Sequence, residues 1–68
     1  RERQILKCLG EGYTDIKKMV PVMYTETNPE LYGAAARSVL AAMIRMIDTD
    51  QVKCDTPAPS VESGFSLS

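Results

Sequence analysis

The chain has 68 residues, eight of them Lys or Arg and nine Asp or Glu, and its formal net charge is −1. A chain of this length forms one domain at most and buries only about 60% of the surface that its unfolded form exposes. The near-neutral charge argues against a strong phosphate-binding face, and the lack of histidine excludes His-containing zinc sites, Ser–His and Cys–His nucleophile pairs and an imidazole base.

The first predicted helix spans about residues 1–9. Its apolar side chains share one face, with the spacing of a buried stripe: Ile5, Leu6 and Leu9. Gly10 and Gly12 follow at the end of this helix, where the chain often needs a left-handed residue and glycine adopts that conformation most easily.

The second predicted helix spans about residues 15–24. Thr14 is its expected N-cap, and Asp15 lies in the first turn, where the helix dipole favours a negative charge. Its buried stripe is predicted to be Ile16, Met19, Val20 and Met23. Pro21 lacks the N–H that would bond to the carbonyl of Lys17, so we expect a kink or an early end.

The third predicted helix is long, about residues 29–48, with Asn28 as its cap and Pro29 at its first position. Its core-facing stripe is predicted to be Tyr32, Ala36, Val39, Leu40, Met43 and Ile47. Apolar residues extend beyond that stripe, around more than half of the helix circumference. Exposed apolar patches usually mark contacts, and we expect an interface at Ile44, Met46 and Ile47.

A pair of β-strands is predicted after the third helix, at about residues 51–54 and 64–68, where apolar and polar residues alternate. Between them, Pro57 and Pro59 stand in a stretch with the composition of a loop. A long helix that leads into two such strands predicts a mainly α winged helix. This single domain over residues 1–68 would have three helices and a two-stranded β wing with a long, mobile tip.

The acidic residues that surround the turn from the third helix into the first strand are Asp48, Asp50 and Asp55. Their spacing is superficially like that of a calcium loop, but the glycine and glutamate that an EF-hand requires are missing. We interpret them as a solvated turn that ends the helix. The sequence therefore predicts no catalytic, cofactor-binding or metal site in this chain.

Cys8 and Cys54 lie far apart and match no CxxC spacing, which favours reduced thiols that serve as small apolar residues. No signal segment is visible, and Arg37 and Arg45 interrupt the best candidate for an apolar membrane span. We therefore expect no membrane contact and an intracellular location, in the cytoplasm or a mitochondrion. Because the chain begins at Arg1 rather than Met, we expect it to be a piece of a longer polypeptide.

A winged helix that binds nucleic acid would use basic residues, and the candidates are Lys17, Lys18, Arg37 and Lys53. Base readout relies on several donors presented together, and the long helix offers few. The tyrosines, Tyr13, Tyr24 and Tyr32, would form a stacking platform for single-stranded RNA only if they converged with basic residues. A solvated surface is the favoured interpretation, and a nucleic-acid-binding module is the alternative.

Several segments taken together resemble a known family. They are Arg3-Gln4-Ile5-Leu6, Met19-Val20, Met23-Tyr24, Pro29-Glu30-Leu31 and Ala35-Ala36-Arg37-Ser38-Val39-Leu40-Ala41. They resemble the C-terminal winged-helix domain of metallo-β-lactamase-fold hydrolases. The chain departs from the family pattern at Ala42 and Met43, where a histidine and a leucine are usual, at Asp50, where a glycine is usual, and at Pro21.

The resemblance implies a non-catalytic accessory domain that packs on the metallo-β-lactamase-fold catalytic domain of the same polypeptide and shapes substrate access. It also implies that the parent is a zinc-dependent hydrolase of thioesters, related esters or, in some members, single-stranded RNA. The zinc would be held by an HxHxDH motif outside this chain. A purely structural dimerisation element, which forms a homodimer, is a further alternative.

Overall fold

The computed structural model describes residues 2–68 and has the predicted order of three helices and two strands. The helices are α1 (Glu2–Gly10), α2 (Ile16–Met23) and α3 (Tyr32–Asp48), and a short 3₁₀ turn, Pro29–Leu31, precedes α3. The strands β1 (Val52–Cys54) and β2 (Phe65–Leu67) pair antiparallel, with Val52 opposite Leu67 and Cys54 opposite Phe65. The prediction of a mainly α winged helix is confirmed, while the predicted helix start at Arg1 lies outside the described residues.

The end of α1 is fixed by a Schellman motif. The backbone N–H of Tyr13 donates to the carbonyl of Cys8, and that of Gly12 donates to the carbonyl of Leu9. This pattern needs a left-handed residue at the position after the cap, and Gly12 has a φ of 100°. The predicted role of glycine at this helix end is therefore confirmed at Gly12.

The cap of α2 is Asp15, which corrects the prediction of Thr14. The Asp15 carboxylate accepts a hydrogen bond from the backbone N–H of Lys17 at 2.9 Å, and this satisfies one of the free donors at the helix start. The helix continues through Pro21 for two residues and ends at Met23. This end lies one residue before the predicted one, so Pro21 does not shorten the helix appreciably.

The start of α3 lies three residues later than predicted. The Asn28 side chain caps the 3₁₀ turn instead, by accepting a hydrogen bond from the backbone N–H of Glu30 at 3.0 Å. Pro29 takes the first position of that turn, where a missing N–H costs nothing. The regular helix then begins at Tyr32.

The buried face of α3 is rotated relative to the predicted stripe. The residues of α3 in the core are Ala35, Val39, Ala42, Met43 and Met46. Four members of the predicted stripe are only half-buried: Tyr32, Ala36, Leu40 and Ile47. Because apolar residues cover so much of this helix, the 3.6-residue period alone did not decide which apolar side faces the core.

The core is formed by all three helices and both strands. Its apolar members outside α3 are Ile5, Cys8, Leu9, Ile16, Met19, Val20, Val52 and Phe65. The predicted stripes of the first two helices are confirmed at Ile5, Leu9, Ile16, Met19 and Val20, while Leu6 and Met23 pack partly buried against the core.

Strand β2 also pairs with the connection between α1 and α2, which the sequence does not predict. The backbone N–H of Phe65 donates to the carbonyl of Thr14 at 2.8 Å, and Asp15 forms an isolated bridge with Gly64. The connection between α1 and α2 thus lies beside β2 as a short additional strand position. This pairing ties the end of the chain to its first quarter.

The loop between the strands is held by side chains, where the sequence predicts a mobile tip. The Asp55 carboxylate accepts a hydrogen bond from the backbone N–H of Gly64 at 2.8 Å. A Cβ at Gly64 would lie 2.6 Å from an Asp55 oxygen, so a larger residue there would push the Asp55 carboxylate out of its present position. The hydroxyl of Ser63 is buried and contacts the hydroxyls of Thr56 and Ser60 at 2.7 and 3.2 Å.

The end of α3 repeats the Schellman motif of α1, with Asp50 in the position of Gly12. The backbone N–H of Gln51 donates to the carbonyl of Met46, and that of Asp50 donates to the carbonyl of Ile47. Asp50 has a φ of 63°, a conformation that glycine adopts with less strain. This geometry explains physically why a glycine suits the position where the chain departs from the family pattern.

Across residues 2–68, each helix falls short of the length and apolar character that crossing a lipid bilayer would require.

We predict that Asp50→Gly stabilises the domain by about 0.5–1 kcal/mol. The substitution relieves the left-handed strain and removes a negative charge from the C-terminal end of α3, where the dipole disfavours it. The reciprocal substitution Gly12→Asp serves as the matched control and should destabilise by about 1 kcal/mol or more. Urea unfolding measures the change in the free energy of unfolding of each variant. If both substitutions stabilise the domain, or both destabilise it, the role of the left-handed position in the Schellman motifs is contradicted.

Candidate functional site

A groove between α2, α3 and the wing loop brings several of the predicted functional residues together. Its volume is about 550 Å³, and its lining consists of Lys17, Val20, Tyr32, Gly33, Ala36, Arg37 and Val61. Ala36 and Val61 contribute apolar surface, and Lys17 and Arg37 contribute positive charge. The groove therefore combines an apolar lining with two cations.

The local structure explains how the two cations reach the same groove. Lys17 lies in the first turn of α2, which Asp15 caps, and Arg37 lies in the second turn of α3. Gly33 has no side chain, and a Cβ built there would meet no atom within 4 Å, so the groove is open beside α3.

The charges of the groove are unevenly paired. The Lys17 ammonium lies 3.6 Å from the Glu62 carboxylate, and both side chains are largely exposed, so this ion pair adds little stability. Arg37 is exposed and forms no ion pair with any side chain in residues 2–68. One cation of the groove is thus locally compensated and the other is not.

Only two of the four basic residues proposed for nucleic-acid contact lie on the same surface. Lys17 and Arg37 line the groove, but Lys53 is exposed on β1 beside a separate depression, and Lys18 lines neither. On α3, Arg45 is 3.4 Å from the Glu2 carboxylate. A continuous basic surface is therefore not formed by these residues.

The three tyrosines likewise lie in different parts of the surface, and only Tyr32 lies beside the basic residues of the groove. Tyr32 lies in the groove with Lys17 and Arg37. Tyr13 lines a shallow depression beside Glu11 and Gly12, and Tyr24 follows the end of α2 as its C-cap residue. A stacking platform requires several aromatic rings beside basic residues, and only Tyr32 is placed in this way.

The outward side of α3 carries the exposed part of the predicted interface. Ile44 is 41% exposed, and Leu40 and Ile47 are half-buried beside it. We call these three residues the α3 strip. Met46 was expected at the interface as well, but it is 1% exposed and packs in the core, because the buried face of α3 is rotated toward it.

The wing contains a cluster of hydroxyls and one thiol that the sequence does not predict. The Cys54 sulfur lies 3.4 Å from the Thr56 hydroxyl, which in turn contacts Ser63. Partial burial acts to raise the pKa of the Cys54 thiol, but hydrogen bonds from Thr56 and Ser63 outweigh it, and the pKa falls below its ordinary value. Burial, together with the charge of Glu11, raises the pKa of the Cys8 thiol.

Two of the acidic residues around the end of α3 have structural roles. Asp55 holds Gly64, and Asp50 occupies the left-handed position after α3. Within residues 2–68, no three side chains of the types His, Cys, Asp and Glu come together in a group that could hold a metal ion.

A model of the β-lactamase-associated winged-helix domain family matches residues 16–56, which is more than half of the chain. The match begins with α2 and runs through α3 and β1, so it includes both helices that line the groove. No curated protein and no solved structure matches the chain significantly.

We predict that Cys54 reacts with iodoacetamide faster than Cys8 near neutral pH. The lowered pKa of Cys54 increases its thiolate fraction, whereas Cys8 is buried and its pKa is raised. Thr56→Val removes the side-chain hydrogen bond, so the midpoint of the pH–rate profile of Cys54 should move to higher pH.

The matched control is Thr49→Val, because the Thr49 hydroxyl contacts only helix carbonyls at the end of α3. Mass spectrometry of the alkylated peptides over a pH series measures each thiol separately. A Cys54 profile that moves equally in both variants would contradict the role of Thr56.

Proposed function

Because the chain belongs to the β-lactamase-associated winged-helix domain family, we propose that it is a non-catalytic accessory domain. It packs on a metallo-β-lactamase-fold catalytic domain of the same polypeptide and shapes the access of substrate to that domain.

The observation that carries this proposal is the α3 strip. Leu40, Ile44 and Ile47 are spaced so that they lie along one side of the helix, and Ile44 leaves 41% of its surface in water. Covering such a strip with another domain removes apolar area from water, which is worth about 25 cal/mol per Å². A protein surface is therefore a better partner for this side of α3 than a charged polymer.

We further propose that the parent polypeptide is a zinc-dependent hydrolase and that its metal and catalytic groups lie in the catalytic domain. The family association with β-lactamases supports this. The residues of this chain do not fit a zinc site, because it has no histidine and no suitable group of ligands in residues 2–68. No step of the hydrolysis is assigned to this chain.

The alternative function is a nucleic-acid-binding module, and one observation favours it: Lys17, Tyr32 and Arg37 line the same groove. An aromatic ring beside cations is the usual arrangement for single-stranded nucleic acid. The argument against it is the small number of cations, since Lys17 is already paired with Glu62. Two cations give a weak electrostatic attraction to a polyanion.

We predict that Ile44→Glu leaves the stability of this 68-residue chain within about 0.5 kcal/mol, because the side chain is exposed on α3. In the longer polypeptide the same substitution buries a carboxylate against the catalytic domain, and it should lower the thermal stability of the docked state by about 1–3 kcal/mol. Calorimetry and limited proteolysis measure these two effects.

Val22→Glu is the matched control for this comparison. Val22 is 42% exposed, close to the 41% of Ile44, but it lies on α2. It should change both proteins little. If Ile44→Glu and Val22→Glu have the same effect in the longer polypeptide, the α3 strip is not the docking surface.

We predict no measurable binding of this chain to duplex DNA or single-stranded RNA at about 50 mM salt, because the groove holds only Lys17 and Arg37 as cations and Lys17 already lies beside Glu62. Phosphate-driven binding is strong at this salt concentration, so a nucleic-acid-binding module would be detected there. Fluorescence anisotropy with labelled oligonucleotides over a salt series measures it. A binding constant that falls with salt at the slope expected for about four or more phosphate contacts would favour the nucleic-acid module instead.

A further inference from the structure

We infer that the groove between α2 and α3 receives a segment of the catalytic domain that presents an apolar side chain and, close to it, a carboxylate that pairs with Arg37. This inference rests on the proposed function, in that it requires the domain to dock, and it specifies the chemistry of what docks.

The apolar part of the occupant follows from the lining of the groove. Ala36 and Val61 are half-buried and present aliphatic surface, Tyr32 adds aromatic surface, and Val20, which is 2% exposed, lines the groove from the core. The volume of about 550 Å³ lies within the range of about 300–1,000 Å³ that is typical of binding sites. An aliphatic or aromatic side chain would therefore be removed from water on several sides when it enters.

The carboxylate follows from the pairing of charges. Glu62 already lies beside Lys17 at 3.6 Å, so the domain supplies that cation with its own carboxylate. Arg37 lacks such a partner within residues 2–68. Its planar guanidinium matches a carboxylate with two parallel hydrogen bonds, which makes a carboxylate the complementary group.

The continuity of the groove with the α3 strip favours a polypeptide segment over a small molecule. Ala36 lies in the groove, and Leu40 follows it by one helical turn on the same side. From Ala36 to Ile47 the surface extends about 16 Å along the helix. A segment of protein can cover this whole length, with one side chain in the groove and others on the strip.

A single-stranded nucleic acid fits the same surface less well. Its phosphates would follow one another along the groove, and they would meet Glu62 at the rim beside Lys17. Binding of a polyanion requires several cations along its path, whereas the groove offers one that is not already paired. A single carboxylate beside an apolar anchor matches this charge distribution.

Zero-length carbodiimide cross-linking of the longer polypeptide tests the pairing. The coupling joins a lysine amine to a carboxylate in contact with it, so Arg37→Lys makes the partner of this position detectable by mass spectrometry. We expect a link from residue 37 to an Asp or Glu of the catalytic domain that has an apolar residue close by. Lys17 linked to Glu62, and Arg45→Lys linked to Glu2, serve as internal controls because both pairs are in contact.

Thiol labelling of the same polypeptide tests the occupation of the groove. Gly33→Cys places a thiol where a Cβ meets no atom of this domain within 4 Å. We expect maleimide to label it about tenfold more slowly than the same thiol in a protein that also carries Arg37→Glu. Arg37→Lys, which keeps the charge, should preserve the protection.

The following outcomes of the cross-linking and labelling experiments would overturn the inference. In the cross-linking experiment, they are the absence of any link from residue 37 while the two control links form, a link from residue 37 to a second copy of this chain, and a link from residue 37 that stays within this domain. In the labelling experiment, the contradicting outcome is protection of Gly33→Cys only after single-stranded RNA is added. Maleimide labelling of Ile44→Cys distinguishes an empty groove from a domain that does not dock at all. If Ile44→Cys is protected and Gly33→Cys is not, the domain docks but the groove is empty, and if both are freely labelled, the proposed function itself fails.

Discussion

The whole domain depends on the burial of one face of α3. The other two helices and β1 all pack against this helix, and its core residues include Ala35 and Ala42, whose small side chains allow close approach. Met43 and Met46 fill the space between the elements. Because this face is committed to the core, the opposite side of α3 is the one available to a partner, and its composition determines what kind of partner it suits.

The sequence was sufficient for the architecture because its signals were local and redundant. Gly12 marks the end of α1, and the spacing of Ile16, Met19 and Val20 marks the buried face of α2. The rotation of α3 was not predictable in the same way, since an apolar pattern that covers most of a helix leaves two orientations nearly equivalent. Met46 was assigned to the wrong side for this reason.

The candidate site was predictable only in its parts. Lys17 and Arg37 were singled out from the sequence, but nothing in their spacing of twenty positions indicates that they share a groove. Their convergence depends on the packing of α2 against α3 and on the wing loop that brings Val61 beside them. The hydroxyl cluster of Thr56, Ser60 and Ser63 was likewise hidden, because a Ser- and Pro-rich stretch has the same composition whether or not its side chains bond to one another.

The pairing of Phe65 with Thr14 has a consequence for the order of folding. These residues are 51 positions apart (65 − 14), and their hydrogen bond joins β2 to the connection between the first two helices. Phe65 also completes the core. The three helices can form early from local contacts, but this last pairing must wait for a long loop to close, which slows folding. On the ribosome, the helices therefore emerge before β2, and Phe65 joins their core only when it pairs with Thr14.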